Sequence, residues 1–470
     1  MKKLKVLASF GLACVTLTTF ASCGNPNPGT SSSIDVNFVA PAEGFDTETP
    51  VSITFYHTMG QNLQEILDIY LEDFYLEYPN IEVLSHAIGG YDDVRDQMTT
   101  QLSAGSSNCD IAYCYPDHVA LYDKAKSVIA LDNLIDDPVY GFTAEQKADF
   151  TASYYEEGKC LGDGKTYTLP FSKSSEVLYY DKTFFEENDL SVPRTWDEME
   201  AVCRQIKALD PNSTPLGYDS ASNWFITMCE QLGSGYTSAD KDNHYLFDND
   251  TNKAFVKKFK RWYDDGLVTT KGLYGGYTSN LFTNVDGQRC YMCIGSSAGA
   301  TYQTLMTSDG YAFETGVVSI PQATVEKYES GQGAVISQGP DLCIFNGDDP
   351  QKIMASWLLA RFLTTNVGFQ AQFSISSGYT PVIESCLEYD VYANHLATAN
   401  TTNNIAALST SVTIEQKDMY FTSPAFVGSS QARDQVGDLL EGVLSYSGSD
   451  LDKYIDDRFD SAVAACKQYK

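Results

Sequence analysis

The sequence predicts an α/β fold in two lobes, and three observations predict it. Strand-like and helix-like stretches alternate through the first third of the chain, the pattern of βαβ units and a parallel sheet. The ~420 residues that follow the N-terminal segment exceed one ordinary domain and suit two. Residues 169–185, LPFSKSSEVLYYDKTFF, read as a strand that opens into a hydroxyl-rich turn (Ser172, Ser174, Ser175) and re-enters an apolar run over 177–180. Such a turn, where two pieces of sheet meet, offers hydroxyls and free N–H groups to a polar ligand.

The N-terminus is a targeting segment and stands apart from the fold. Lys2, Lys3 and Lys5 form a basic start, residues 6–20 are mostly apolar, and Phe20-Ala21-Ser22-Cys23 places small residues before a cysteine. This resembles a bacterial lipobox, which implies a signal peptide over 1–22 and a lipid on Cys23. The apolar run falls short of the ~20 residues that a membrane span needs. Residues 23–50, rich in Gly, Pro, Ser, Thr and Asn, read as a flexible tether.

Strand and helix then alternate. Residues 51–57 are β-branched and aromatic; 61–78 carry the helical stripe Leu63, Ile66, Leu67, Tyr70 and Phe74, stopped by Pro79. A second strand is expected over 81–86. A helix lined by Val94, Met98 and Leu102 opens at Gly90-Tyr91, and a third strand occupies 110–115. In parallel sheets ligands sit beyond the carboxyl ends of strands. That rule marks Tyr56, His57, Tyr91, Tyr115 and Asp117. Further on, Thr195 and Glu198 form a capping box before a helix with Trp196, Met199, Val202, Cys203 and Ile206. A second helix uses Phe255, Phe259 and Trp262, and Asp349-Pro350 opens a third. Two amphipathic helices, near 430–446 and 450–468, end the chain.

Composition excludes several functions. A net charge of −31 argues against nucleic acid or an anionic lipid surface as partner. Twelve cysteines look like a disulfide framework until they are placed: most sit singly in apolar patterns, as small hydrophobes do. Alternation along an expected strand 289–294 sends Cys290 and Cys293 to opposite faces, so no zinc pair is expected. Asp248 to Asn252 begin like a calcium loop, but Lys253 stands where Gly is needed. The five His show no metal spacing, and the chemistry calls for no metal and no cofactor.

Gly295-Ser296-Ser297-Ala298-Gly299 fits the nucleophile-elbow pattern of serine hydrolases. His395, the one histidine downstream, follows no strand, and no oxyanion loop is visible. The same small residues at a helix start equally expose N–H groups to a ligand. Sugar binding needs aromatic faces and fixed hydroxyl partners in a cleft. Of four Trp among 31 Tyr, three fall on helical stripes. Trp224 follows the loop 217–222, in the first turn of a helix expected to be capped by Ser222, and is left as the stacking candidate.

Several separated segments together resemble the sugar and glycerol-phosphate solute-binding proteins of ABC importers. They are the strand 52–57, the junction 77–81, Gly90-Tyr91, the stretch 169–185, Ser297, Gly339 and Gly378-Tyr379. The resemblance implies a periplasmic-binding-protein-like fold of the maltose-binding type. It divides the chain into 51–172 and 340–378 for lobe 1, and 173–339 and 379–470 for lobe 2. To the strand-end residues Tyr56, His57 and Asp117 and the stacking candidate Trp224 it adds Tyr91, Ser174, Ser175, Ser297, Gly339 and Tyr379 as the expected ligand site, and it implies no catalytic role. The expected protein is a monomer, lipid-anchored on the outer face of the cell membrane, that passes a small-molecule carbohydrate to permease subunits. The glycerol-3-phosphate members grip phosphate with an Arg in a late loop. The comparable loop here, 421–428, has none, and Arg433 lies in the helix beyond. A phosphate buried without a charged partner is costly, so a neutral sugar or oligosaccharide is expected. Glycerol-3-phosphate or a glycerophosphodiester is the alternative ligand, and a secreted esterase using Ser297 the alternative class.

Overall fold

A computed structural model describes residues 37–123, 126–240, 242–399 and 404–468. The expected signal peptide 1–22, Cys23 and the first part of the tether lie outside the described residues. In chain order the strands are β1 (Val51–His57), β2 (Ile81–Ala87), β3 (Ile111–Cys114), β4 (Leu169–Pro170), β5 (Ser174–Asp181), β6 (Leu216–Tyr218) and β7 (Val268–Thr270). They continue with β8 (Met292–Ser296), β9 (Met306–Thr307), β10 (Gly310–Tyr311), β11 (Thr315–Ser319), β12 (Val335–Gln338), β13 (Asp341–Ile344) and β14 (Tyr420–Phe421).

Two larger sheets organise these strands. The first runs β2-β1-β3-β13-β4, with β1 parallel to β2 and β3, and β13 antiparallel to its neighbours. The second runs β14-β12-β5-β8-β6-β7, with β11 also on β5. Each sheet has its own apolar core. Ile53, Phe55, Leu67, Phe74, Ile111 and Trp357 fill the first, as the stripe over 61–78 requires. Trp196, Met199, Trp224, Phe259, Trp262 and Phe459 fill the second. The helices between them follow their caps: the Thr195 hydroxyl accepts the Glu198 N–H at 3.1 Å, and Asp349 accepts the Gln351 N–H at 2.9 Å.

The chain passes between the sheets at points that lie side by side. Residues 171–173 link β4 to β5, and Gly339-Pro340 link β12 to β13. Thr380 pairs with Lys173 through N–H···O bonds of 2.6 and 3.1 Å. The Lys173 ammonium is fully buried here, 2.7 Å from Glu157 and 2.6 Å from Asp341, and donates to the Gly339 carbonyl at 3.3 Å. Thr168 donates to Asp341 at 2.7 Å, and Ser337 donates to Glu157. One buried cation thus joins three passages of chain. Removing one member of such a set costs about 3–5 kcal/mol, because the remaining charge stays buried and unpaired.

Four expectations change. Phe45 is buried in the first core and its N–H meets the Tyr140 hydroxyl at 2.9 Å, so packed structure begins before residue 51. Val382, Ile383, Cys386 and Tyr392 also belong to the first core, beyond the expected boundary at 379. Ser174 and Ser175 are not in a turn: β5 begins at Ser174 and is buried along nearly all its length. Cys290 and Cys293 share one cluster and both touch Thr278, since β8 starts only at Met292 and alternation does not reach back to Cys290.

Candidate functional site

A cavity of about 330 Å³ lies between elements of the two sheets, within the range of small-molecule sites. Its first wall comes from the carboxyl ends of the first sheet. Tyr91, Asp92 and Arg95 stand on the helix Tyr91–Ser103 that follows β2, and Tyr115, Asp117 and His118 follow β3. The second wall comes from Ser220, Ser222 and Ile226 after β6, from Ser337 and Gln338 on β12, and from Ser430, Arg433 and Asp434 on the helix Ser429–Leu444. Four helix starts therefore face the cavity, at Tyr91, Pro116, Ala221 and Ser429. Helix N-termini favour ligand oxygens, because their first N–H groups lack partners in the helix.

Aromatic rings build one side. Tyr91 stands edge-on to Tyr115 at 5.0 Å, and Tyr115 edge-on to His118 at 5.4 Å. The Tyr379 hydroxyl meets that of Tyr91 at 3.1 Å. Burial pushes the Tyr91 and Tyr115 hydroxyls well above the usual range, so both stay protonated and can donate. Charges stand on both walls, Asp92, Arg95 and Asp117 beside the rings and Arg433 and Asp434 across from them. Arg95 is bracketed by Asp92 at 3.0 Å and Asp96 at 2.8 Å, and reaches Ser430 on the other wall at 3.1 Å. Arg433 donates to the Asn223 side-chain oxygen.

The expected residues divide into three groups. Tyr91 and Asp117 line the cavity, as does Tyr115, and Tyr379 stands behind Tyr91. Ser174, Ser175, Ser297 and Gly339 do not line it and are engaged with protein. Ser297 Oγ accepts the Ser175 N–H at 3.3 Å, Ser296 donates to Ser174 at 3.4 Å, and Gln416 donates to Ser175. Gly339 has φ +99°, and a Cβ there would meet the Ser172 carbonyl at 2.2 Å. Tyr56, His57 and Trp224 are away from the cavity. Tyr56 packs with Val94 and Met98. His57 is wholly buried, bonded to Ser85 at 2.6 Å and to the Met59 N–H at 3.1 Å. Trp224 is wholly buried between Tyr218, stacked at 4.9 Å, and Phe259 at 4.1 Å. The cap of its helix is Ser220, not Ser222, which turns Trp224 into the core.

Arg95, Ser337, Gln338, Tyr236 and Arg433 were missed. The late loop lacks an Arg, yet the cavity does not, because Arg433 reaches it from the helix. A signal was present: Arg95 is four residues past Tyr91, and Arg433 four past Ser429, so each shares a helix face with a residue at the cavity.

Known proteins match this architecture. Residues 70–400 match the family model described as bacterial extracellular solute-binding protein. The multiple sugar-binding protein of Streptococcus mutans is 23% identical over 248 residues, 52% of this chain and 51% of that protein, so the chain spans about half of that relative. The sn-glycerol-3-phosphate-binding periplasmic protein UgpB of Escherichia coli is 22% identical over 358 residues, 73% of this chain and 77% of that one. Among solved structures, UgpB from Mycobacterium tuberculosis in complex with glycerophosphocholine superposes with a TM-score of 0.70 at 18% identity, over 89% of this chain and 99% of that one. Lmo0181 from Listeria monocytogenes in complex with cycloalternan gives 0.68 at 17%, over 90% of this chain and 100% of that one. These likenesses show a shared fold of the maltose-binding type.

Proposed function

Because the chain belongs to the bacterial extracellular solute-binding protein family, we propose that it is the solute-capturing component of an ABC importer, anchored by a lipid on Cys23, that closes its two lobes around a neutral sugar or oligosaccharide. The chain is not an enzyme: the family and its structural neighbours bind solutes, and Ser297 Oγ is held by the Ser175 N–H rather than by a base. The class of ligand is a sugar or a glycerophosphate, as in the relatives with those names. The choice of a neutral sugar rests on one observation. Asp92, Asp117 and Asp434 outnumber Arg95 and Arg433 at the cavity, and Arg95 is already occupied by Asp92 and Asp96. Carboxylates accept from hydroxyls and repel a phosphate dianion, while the tyrosine rings suit sugar C–H faces.

A glycerophosphodiester is the second reading, favoured by Arg433 and by the helix starts around it. Closure would pivot on the passages joined by Lys173, with a monomer delivering its load to permease subunits outside the cytoplasm. A thermal-shift series on the chain without its N-terminal segment separates the readings. Maltotriose or a related oligosaccharide at a hundredfold excess over Kd should stabilise by about 2.7 kcal/mol. Stabilisation by glycerophosphocholine alone would replace the sugar by the diester, and no shift with either would remove both.

A further inference from the structure

A buried carboxylate, Glu176, lies one side chain away from Arg433 and does not line the cavity. It is 1% exposed on β5. The Tyr218 hydroxyl donates to one of its oxygens at 2.5 Å, and the Asn223 amide nitrogen donates to the other at 3.0 Å. The opposite end of the same amide, Asn223 Oδ1, accepts from Arg433, which stands at the cavity. The relay is packed firmly: Asn223 is 1% exposed, and Tyr218 is stacked on Trp224. An ionised carboxylate can only accept. It therefore forces the amide nitrogen of Asn223 toward itself and leaves the amide oxygen for the guanidinium.

We propose that Glu176 is a positioning residue of the ligand site, which orients Arg433 at the cavity through Asn223. This deepens the solute-binding reading and rests on it. The groups that face Glu176 are Tyr218 and Asp219 from the β6 end, Asn223 from the helix Ala221–Leu232, and Arg433 from the helix Ser429–Leu444. β8, β11 and β12 carry no charged residue, and the helix Ile405–Glu415 that packs on β5 carries only Glu415, next to Gln416, which donates to the Glu176 carbonyl at 3.1 Å. Burial raises the Glu176 carboxyl to about 7, against the lowering pull of Tyr218, Asn223 and Arg433. Protonation would give it a donor, end its control of the amide, and release Arg433. Affinity is thus complete above pH 7 and lost as pH falls through that value.

Calorimetric titration with maltotriose, and with glycerophosphocholine as second probe, tests this. One pH unit below the midpoint about a tenth of the protein is competent, so Kd should rise about tenfold between pH 8 and pH 6. Glu176→Gln should bind about tenfold more weakly at pH 8, with little further change down to pH 6. A variant that keeps the wild-type Kd and slope overturns the proposal, whatever its melting temperature. A wild type that binds neither probe counts against the solute reading instead. The relay is then judged without ligand, by carbon-13 NMR titration of the carboxyl absent from Glu176→Gln. Arg433→Gln should raise that midpoint, and an unchanged midpoint overturns the proposal.

Discussion

His57 shows how one buried side chain sets a pH limit. Burial, with His86 nearby, lowers its imidazole to about 4 from the ordinary 6.5. The unfolded chain takes up this proton below pH 6.5 and the folded chain only near 4. Stability from His57 is therefore complete above pH 6.5 and drains away as pH falls toward 4, by about 3 kcal/mol in all. Glu176 works in the opposite sense, since its folded carboxyl takes a proton before the unfolded one. The difference between wild type and His57→Gln isolates the histidine. Urea unfolding at pH 7 and pH 4.5 should show a smaller loss in the variant, and equal losses would refute the assignment. The rule that ligands sit beyond strand ends had placed His57 at the ligand. The adjacent ring pair is also adjacent in the pleat: Tyr56 and His57 point to opposite faces, and neither face here is the cavity.

At the scale of elements, amphipathic stripes were legible because each needs only its own residues. The helices Gln61–Glu77, Trp196–Leu209 and Pro350–Thr365 lie where periodicity and caps put them. Contacts between distant segments were not legible. Sorting tryptophans by local pattern left Trp224 over, but its neighbours Tyr218 and Phe259 come from another strand and another helix. The serines of β5 looked like loop residues, since nothing local reveals that Gln416 and Tyr420 come to meet Ser175. Trp224→Ala should cost about 3–5 kcal/mol in chemical denaturation, as large aromatic truncations in cores do. Trp224→Phe should recover most of it. A loss below about 1 kcal/mol would place the ring at the surface, as the sequence alone had it.

For the whole molecule the question is how a cavity with walls on two sheets responds to its ligand. Arg95 and Ser430 already touch across it, so the walls are close in this state. The chain crosses between the two sheets near Lys173, and Gly339 is the tightest point of those passages. Its φ of +99° is one that L side chains rarely adopt, and a Cβ would lie 2.2 Å from Ser172 O and 2.8 Å from Lys173 Cα, both backbone atoms that cannot swing aside. Gly339→Ala must push the two passages apart while leaving every side chain at the cavity unchanged. If closure pivots there, affinity for the stabilising ligand should fall by at least about tenfold, from the population of the closed state alone. Small-angle scattering should then show a smaller ligand-induced contraction than in wild type. Wild-type affinity in a folded Gly339→Ala protein would mean that the walls do not move about this point.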